Sequence, residues 1–233
     1  MEKTLDELGQ HALQLLKNAP TNQRVLIAVS GIPGSGKTTL GTAVYDKINE
    51  IWSQNSSTQI SAFLPMDGFH LTRETLASLP NAEEAIAKRG APFTFDADGL
   101  TKLIQRLREP VTKHTVPIYA PSFDHAIKDP IENDVVILPT DRILIIEGNY
   151  LHLQDEPWNK IASLMDELWF VQVERDVARN RLIRRHLEAG IAGNEIEAAE
   201  RAEKNDLVNG DYILSHSLPS HINIVNIHDD RMA

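Results

Sequence analysis

Eight consecutive residues carry the clearest chemical signal in the chain, and they read Gly-Ile-Pro-Gly-Ser-Gly-Lys-Thr from Gly31 to Thr38. They match the pattern G-x-x-x-x-G-K-[ST], in which glycines let backbone N–H groups curl around phosphate oxygens. In such a loop, Lys37 reaches the β- and γ-phosphates of a nucleotide and the Thr38 hydroxyl binds Mg²⁺. We call residues 31–38 the phosphate loop. The residues expected to hold the nucleotide are Gly31, Ile32, Pro33, Gly34, Ser35, Gly36, Lys37, Thr38 and Thr39.

Two acidic residues follow apolar segments of the kind that form buried strands. Asp67 comes shortly after residues 60–64, and Glu147 comes directly after residues 143–146. Ligands of open α/β sheets bind at the carboxyl ends of the strands. Phosphoryl transfer to a hydroxyl needs one carboxylate to accept the proton and another to hold Mg²⁺ or its waters. We assign Asp67 to the first role and Glu147 to the second; the alternatives are a turn residue before Gly68 and a helix cap or solvated loop acid.

A third group of residues is basic and lies in one predicted helix. Its arginines are Arg175, Arg179, Arg181, Arg184 and Arg185. Arg181 and Arg184 are three residues apart and therefore share a helix face. Arginines brought over a transferring phosphoryl group stabilise its charge, and a lid that carries them excludes water. We expect such a lid, with Arg181 on the nucleotide and Arg184 in catalysis; the alternative is a solvated basic face paired with nearby glutamates.

Apolar strands and amphipathic helices must alternate to position these groups. An apolar segment, 25–29, runs straight into the phosphate loop, and a helix over 37–52 leaves it. Further strands are predicted at 60–64, 143–146, 168–173 and 221–227, and further helices within 1–20 and at 98–108, 176–189 and 194–205. Residues 72–89 form a helix broken by Pro80, and residues 117–130, with three prolines, are expected to wrap the surface. This alternation predicts an α/β protein with a mostly parallel sheet.

The composition narrows the classes of function. The chain has 233 residues with a formal charge of -10, which argues against nucleic acid as the main partner. It has no cysteine, so a reducing compartment is favoured. No signal peptide, transit peptide or membrane-spanning stretch is expected. We therefore expect a cytoplasmic protein without a membrane partner; nuclear access and homo-oligomer formation are left open.

Six segments together resemble the phosphoribulokinase/uridine kinase family, which includes prokaryotic-type pantothenate kinases. They are the phosphate loop, Met66–His70, Arg89–Asp96, Phe123–His125, Glu147–Tyr150 and the arginines of 181–185. The resemblance runs from about residue 24 to about residue 210 and implies a three-layer α/β/α P-loop fold with a helical lid at about 174–206. We interpret residues 1–233 as one kinase domain. The resemblance also implies ATP and Mg²⁺ as cofactors and a small-molecule substrate.

The resemblance implies roles for individual residues at matched positions. Asp67 would be the catalytic base, and its motif also brings Phe69 and His70 to the substrate. Asp96 would contact the substrate, and His125 would line its pocket; a surface loop is the alternative for His125. The Asn205–Asp206 pair resembles a branch annotated loosely as nucleoside or sugar kinases, so Asn205 is a substrate candidate, or else the C-terminal residue of a helix. In uridine kinases the lid often reads Arg-Asp, whereas Arg184 here precedes Arg185.

The predicted activity is transfer of the ATP γ-phosphate to a hydroxyl, with a nucleoside as the first choice of acceptor and pantothenate or fructose as alternatives. A GTPase switch is disfavoured because the sequence has no N-K-x-D motif, and its D-x-x-G match at residues 96–99 precedes a predicted helix. A non-catalytic module that binds ATP as a signal is the remaining alternative. It would need neither Asp67, Glu147 nor the lid arginines.

Overall fold

The computed structural model describes residues 4–124 and 126–226. The strands are Val25–Gly31 (β1), Ser61–Pro65 (β2), Ile118–Asp124 (β3), Asp129–Ile137 (β4), Ile143–Glu147 (β5), Glu167–Gln172 (β6) and Ile222–Val225 (β7). The α-helices are Leu5–Asn18 (α1), Lys37–Ser53 (α2), Arg73–Ser78 (α3), Ala82–Ala87 (α4), Ala97–Leu107 (α5), Asn159–Ala162 (α6), Arg175–Glu188 (α7), Glu195–Arg201 (α8) and Leu207–His216 (α9). Short 3₁₀ turns span Met66–Phe69 and Pro92–Thr94, and a π-helical turn spans Ala202–Asp206.

The main sheet has the strand order β2-β5-β1-β6-β7, and every neighbouring pair in it is parallel. β5 therefore lies between β1 and β2, with Glu147 level with Val29 on one side and Pro65 on the other. Because parallel strands end at the same edge, the residues that follow β1, β2 and β5 meet there. The mostly parallel sheet predicted from the sequence is confirmed.

Helices cover both faces of this sheet. On one face, α1 and α2 pack on alternate side chains of β1, as Leu8, Val44 and Ile27 show by their complete burial. On the other face, α5, α6, α7 and α9 cover a core that includes Leu26, Ile104 and further buried apolar residues. The strands are apolar on both sides because both sides are buried. This is the predicted three-layer α/β/α fold.

The segment expected to wrap the surface forms a β-hairpin, which the sequence pattern did not predict. β3 and β4 pair antiparallel outside the main sheet. Their register shifts between Ala120 and Ser122, which places Pro121 at the irregularity. Proline has no N–H to donate, and strands tolerate it where the ladder is already interrupted. His125, a predicted substrate residue, lies outside the described residues.

The region after α7, which carries the predicted lid arginines and is called the lid helix below, also differs from the prediction. The helix expected at 194–205 is regular only over α8; it continues as the π-helical turn and then as α9, which the sequence pattern did not reveal. The final strand is β7, and the predicted residue 227 lies outside the described residues. The assignment of the chain to one domain with a lid at about 174–206 stays a prediction. In the described part of the chain, no helix is long and apolar enough to span a bilayer.

Candidate active site

The phosphate loop connects β1 to α2 in the conformation that its glycines permit. Gly34 and Gly36 have φ angles of 80° and 83°, which L side chains rarely adopt. A Cβ on Gly34 would also lie 2.6 Å from the carbonyl oxygen of Ala178 in α7, so the loop packs directly against the base of the lid helix. Gly36 is the N-cap of α2, whose backbone N–H groups and positive dipole end therefore face the loop.

Two residues outside the loop hold its backbone in place. Arg181 Nη1 donates to the carbonyl oxygens of Gly34 and Ser35 at 3.3 and 3.4 Å. Asn226 Nδ2 donates to the same Ser35 oxygen at 2.6 Å. Arg181 thus contacts the backbone of the phosphate loop, and its role in binding the nucleotide stays a prediction. Asn226 was missed, because nothing local marks the residue after β7.

Lys37 and Glu147 form the centre of the site. The Lys37 Nζ atom lies 3.9 Å from Glu147 Oε1, and the two side chains are 12% and 7% exposed. Burial raises the pKa of Glu147 to about 7, although the nearby Lys37 charge opposes the rise. Burial likewise lowers the pKa of Lys37, while Glu147 and Asp67 oppose that change. The sheet therefore brings the predicted phosphate ligand and the predicted metal carboxylate together.

The residues present fit a magnesium ion bound with a nucleotide. Thr38 lies in the first turn of α2, and its side chain is close enough to the Glu147 carboxylate to lower the pKa of that group. Among residues 4–124 and 126–226, no group of three or more His, Cys, Asp or Glu side chains could hold a metal. Mg²⁺ usually takes one or two protein oxygens and completes its shell with phosphates and waters. Thr38 and Glu147 supply that kind of donor set. Thr39 follows Thr38 in the same helical turn and is exposed.

Asp67 lies in the 3₁₀ turn directly after β2, and its side chain is 46% exposed. It is close enough to Lys37 and Glu147 to raise the pKa of each. The next residue, Gly68, passes so close to the hairpin that a Cβ on it would lie 2.1 Å from the Pro121 carbonyl oxygen. The Asp-Gly pair is therefore a turn, and it is also a contact with β3 that only glycine permits.

His70, which belongs to the same motif as Asp67, forms an aromatic wall with Phe95 and Phe123. His70 pairs with Phe95 in an antiparallel bridge, and its ring lies 3.9 Å from the Phe95 ring and 4.7 Å from the Phe123 ring, centroid to centroid. Phe69 is buried and accepts a hydrogen bond from the Asp96 backbone N–H. The structure thus brings together three motif segments that are up to about 50 residues apart in sequence.

Two predicted substrate residues have structural partners. The Asp96 carboxylate accepts a hydrogen bond from the Gly99 N–H at 2.8 Å and caps α5, although the residue remains exposed. Asn205 Nδ2 donates to the Arg89 carbonyl oxygen at 3.2 Å. Asp96 is therefore positioned as a helix cap, and Asn205 is tied to the segment that leads into the aromatic wall. Their substrate roles stay predictions.

The lid arginines point in different directions. Arg184 lies 4.0 Å from Glu188, one turn along α7, and is 60% exposed. Arg185 is equally exposed, but it pairs with Asp206 and is close enough to Lys37 and Glu147 to lower the pKa of both. Arg185 therefore approaches the centre of the site, while the predicted catalytic residue Arg184 has its recorded ion pair on the lid surface.

Sequence reasoning missed Arg185 as the inward-facing arginine, and it also missed Tyr150. The Tyr150 hydroxyl donates to the carbonyl oxygen of Gly90, and burial raises the pKa of that hydroxyl far above its usual value. Tyr150 belongs to the Glu147–Tyr150 segment, so its position in a motif was the available signal. For Arg185 the signal was its spacing of four residues from Arg181, which places both on one face of α7.

Comparisons with known proteins agree with this geometry. The model of the Phosphoribulokinase / Uridine kinase family matches residues 26–232. A Schizosaccharomyces pombe protein named "Putative uridine kinase C227.14" is 46% identical over 204 residues, covering 88% of this chain and 83% of the relative. The "ATP-dependent kinase-like protein notR'" of Aspergillus versicolor is 50% identical over 154 residues, covering 66% of this chain and 90% of the relative.

A solved structure is also similar along most of its length. It is the "putative fructose transport system kinase" from Silicibacter sp. TM1040, which superposes with a TM-score of 0.81 at 32% identity. The match covers 95% of this chain and 98% of that one. The resemblance to this family predicted from the sequence motifs is confirmed.

Proposed function

The chain belongs to the phosphoribulokinase/uridine kinase family, and from that premise we propose that it transfers the γ-phosphate of ATP to a hydroxyl group of a small metabolite. One observation carries the proposal. Glu147 ends β5, Asp67 follows the end of the neighbouring parallel strand β2, and both lie close enough to Lys37 to influence its pKa. A base, a metal carboxylate and a phosphate ligand thus converge on one point, which is what phosphoryl transfer requires.

Each residue has a part in the proposed step. The Asp67 carboxylate accepts the proton of the acceptor hydroxyl while the hydroxyl oxygen bonds to the γ-phosphorus. The bond from that phosphorus to the β–γ bridging oxygen breaks, and ADP leaves with the electron pair. Lys37 and the backbone N–H groups of the phosphate loop stabilise the charge on the phosphates. Bound by Thr38 and Glu147, Mg²⁺ would neutralise further phosphate charge.

A nucleoside is the acceptor that we propose first. In the aromatic wall of His70, Phe95 and Phe123, Phe95 is buried, whereas His70 and Phe123 are partly exposed, and aromatic side chains are surfaces on which bases stack. The S. pombe relative, 46% identical, carries the name uridine kinase, which supports the same choice. The aromatic wall also lies next to Asp67, where the attacking hydroxyl must be placed.

Fructose is the second candidate, because the similar Silicibacter structure is named for a fructose transport system. Pantothenate is less favoured because its carboxylate would need a cationic partner, and the nearby Arg89 is already paired with an acid. The guanidinium of Arg89 pairs with Asp129 at 2.8 Å and donates to the carbonyl oxygen of Leu71 at 2.9 Å. Because Asp129 already compensates the charge of Arg89, the site beside the aromatic wall favours an uncharged acceptor over one that carries a carboxylate.

The proposal is tested by measuring ADP release from Mg-ATP in the presence of uridine, cytidine, fructose, pantothenate and nicotinamide riboside. We expect acceptor-dependent ADP release, with the highest kcat/KM for a nucleoside, and loss of that release in Asp67→Asn. High activity with fructose alone would select the second candidate. ATP binding without turnover for any acceptor would support a non-catalytic nucleotide-binding module instead. Cytoplasmic location and oligomeric state stay predictions from the sequence.

A further inference from the structure

The π-helical turn at Ala202–Asp206 ends in a carboxylate that faces the lid helix. Asp206 Oδ1 lies 3.7 Å from Arg185 Nη2, and Asp206 Oδ2 lies 3.2 Å from Nε2 of the buried His186. The Asp206 side chain is only 15% exposed. Isolated π turns are rare and occur frequently at functional sites. A largely buried carboxylate that lies beside two side chains of another helix therefore calls for an explanation.

The Asp206–Arg185 pair faces the centre of the active site. Arg185 is close enough to influence both Lys37 and Glu147, and Asp206 is close enough to influence Lys37 and Tyr150. The pair thus lies on the phosphate side of the lid. Arg184, one residue earlier, makes its ion pair with Glu188 on the same helix.

The residue before Asp206 connects the same turn to the acceptor side. Asn205 Nδ2 donates to the Arg89 carbonyl oxygen, and the following residue, Gly90, accepts the hydrogen bond of Tyr150. Two adjacent residues of one turn thus contact the lid helix and the segment that leads into the aromatic wall. Arg185 is 60% exposed, so without a partner its long side chain would sample many rotamers.

We propose that Asp206 is a positioning residue that aims Arg185, rather than Arg184, at the transferring phosphoryl group. This inference rests on the proposed kinase function. A fixed guanidinium stabilises the charge of the transition state without the entropic cost of ordering a flexible side chain at that moment. Asp206 acts through Arg185 and touches no reacting atom itself. Nε2 of His186 lies beside the other carboxylate oxygen, at 3.2 Å.

The chain contains a matched control for this proposal. Arg179 and Glu203 link the same two elements, α7 and the π-helical turn, with Nη2 and Oε1 2.7 Å apart. Among the described residues that influence the pKa of Lys37 or Glu147, neither Arg179 nor Glu203 takes part. If the Asp206 pair only fastened the turn to the lid helix, loss of either ion pair would have the same effect.

The test is a double-mutant cycle between Asp206→Asn and Arg185→Gln, with kcat and the acceptor KM as readouts. We expect each single variant to lower kcat by about 10- to 100-fold with little change in the acceptor KM, as for loss of a transition-state interaction. The double variant should be no slower than Arg185→Gln, because Asp206 acts through Arg185. Glu203→Gln should stay within about twofold of the wild type. Additive losses, or equal losses in Asp206→Asn and Glu203→Gln, would overturn the proposal.

A second readout needs no acceptor. Calorimetric affinities for ATP and ADP report the interaction with the γ-phosphate, and we expect Asp206→Asn and Arg185→Gln to reduce the preference for ATP by the same factor. An unchanged preference would overturn the proposal even if the wild type phosphorylates an acceptor. If the wild type phosphorylates no acceptor but both variants still lose the preference for ATP, the proposed function is contradicted and the role of Asp206 is not. If Asp206→Asn does not fold, Asp206→Glu, which displaces the carboxylate by one methylene, replaces it in the cycle.

Discussion

The ammonium group of Lys37 lies 3.9 Å from a carboxylate oxygen of Glu147, and both side chains are largely buried. The lysine comes from the loop between β1 and α2, and the glutamate ends the neighbouring strand β5. Each charge lessens the cost of burying the other, so the pair keeps a polar centre inside the sheet edge. Nucleotide phosphates and Mg²⁺ are the natural partners of these two groups, and the first predictions address them.

Lys37→Ala should lower ATP affinity and turnover together. The lysine is expected to contact the β- and γ-phosphates in both the ground state and the transition state, so its loss affects binding and rate. Calorimetric ATP binding and the ADP-release assay measure the two effects. Lys47→Ala is the control, because Lys47 lies further along the same helix and pairs with Asp6 and Glu50. Unchanged ATP affinity in Lys37→Ala would contradict the assignment of the phosphate loop.

Asp67→Asn should reduce turnover by at least about 100-fold while ATP affinity stays close to that of the wild type. Asparagine keeps the shape of the side chain and removes the proton acceptor. The assay is acceptor-dependent ADP release at saturating Mg-ATP. Asp98→Asn, an exposed acid in α5, should have normal activity. Equal turnover in Asp67→Asn and the wild type would remove Asp67 from the mechanism.

Glu147→Gln should stabilise the protein at alkaline pH in the absence of metal and nucleotide. The folded pKa of about 7 lies above the ordinary 4.5, so the folded state retains a proton that the unfolded state releases between these values. Wild-type stability should therefore fall as pH rises from about 4.5 to about 7, by up to ~3 kcal/mol. Glutamine removes this dependence, although part of the gain is lost because Lys37 loses its neighbouring charge.

The measurement is urea unfolding with EDTA at pH 5 and pH 8, with Glu132→Gln on the exposed face of the hairpin as control. A difference between Glu147→Gln and the wild type that is the same at both pH values would show that burial does not control this carboxyl group. The same variant should lose Mg²⁺-dependent turnover, because an amide is a weaker ligand for Mg²⁺ than a carboxylate.

Gly68→Ala should destabilise the protein by about 1–3 kcal/mol, the usual cost of forcing an extra methyl into a packed region. The new Cβ would lie 2.1 Å from the Pro121 carbonyl oxygen, so the hairpin must move away from the Asp67 turn. Because Phe123 follows on the same strand, kcat/KM for the acceptor should fall as well. Thermal unfolding and acceptor kinetics test both effects. Gly193→Ala, which meets only a glutamate side chain at 3.2 Å, should leave both unchanged.

The amino-acid sequence alone was enough to predict the phosphate loop, the parallel sheet and the two carboxylates at its edge. These features depend on short windows of residues: glycines at fixed spacing, continuous apolar segments, and an acid where such a segment ends. The family motifs extended this reach to Phe69, His70 and Asn205, whose positions the structure describes. The local pattern failed for the hairpin, because prolines there indicated a loop while the irregularity at Pro121 let the strands pair.

Which arginine faces the site depends on how α7 packs against its neighbours. Arg184 and Arg185 are adjacent on one helix and therefore point in different directions. Arg184 meets Glu188 on its own helix, and Arg185 meets Asp206 across a turn. The same holds for Asn226 at the phosphate loop and for Gly68 at Pro121, which join segments far apart in the chain. Such contacts follow from how distant elements pack, and a short window of sequence contains no information about that packing.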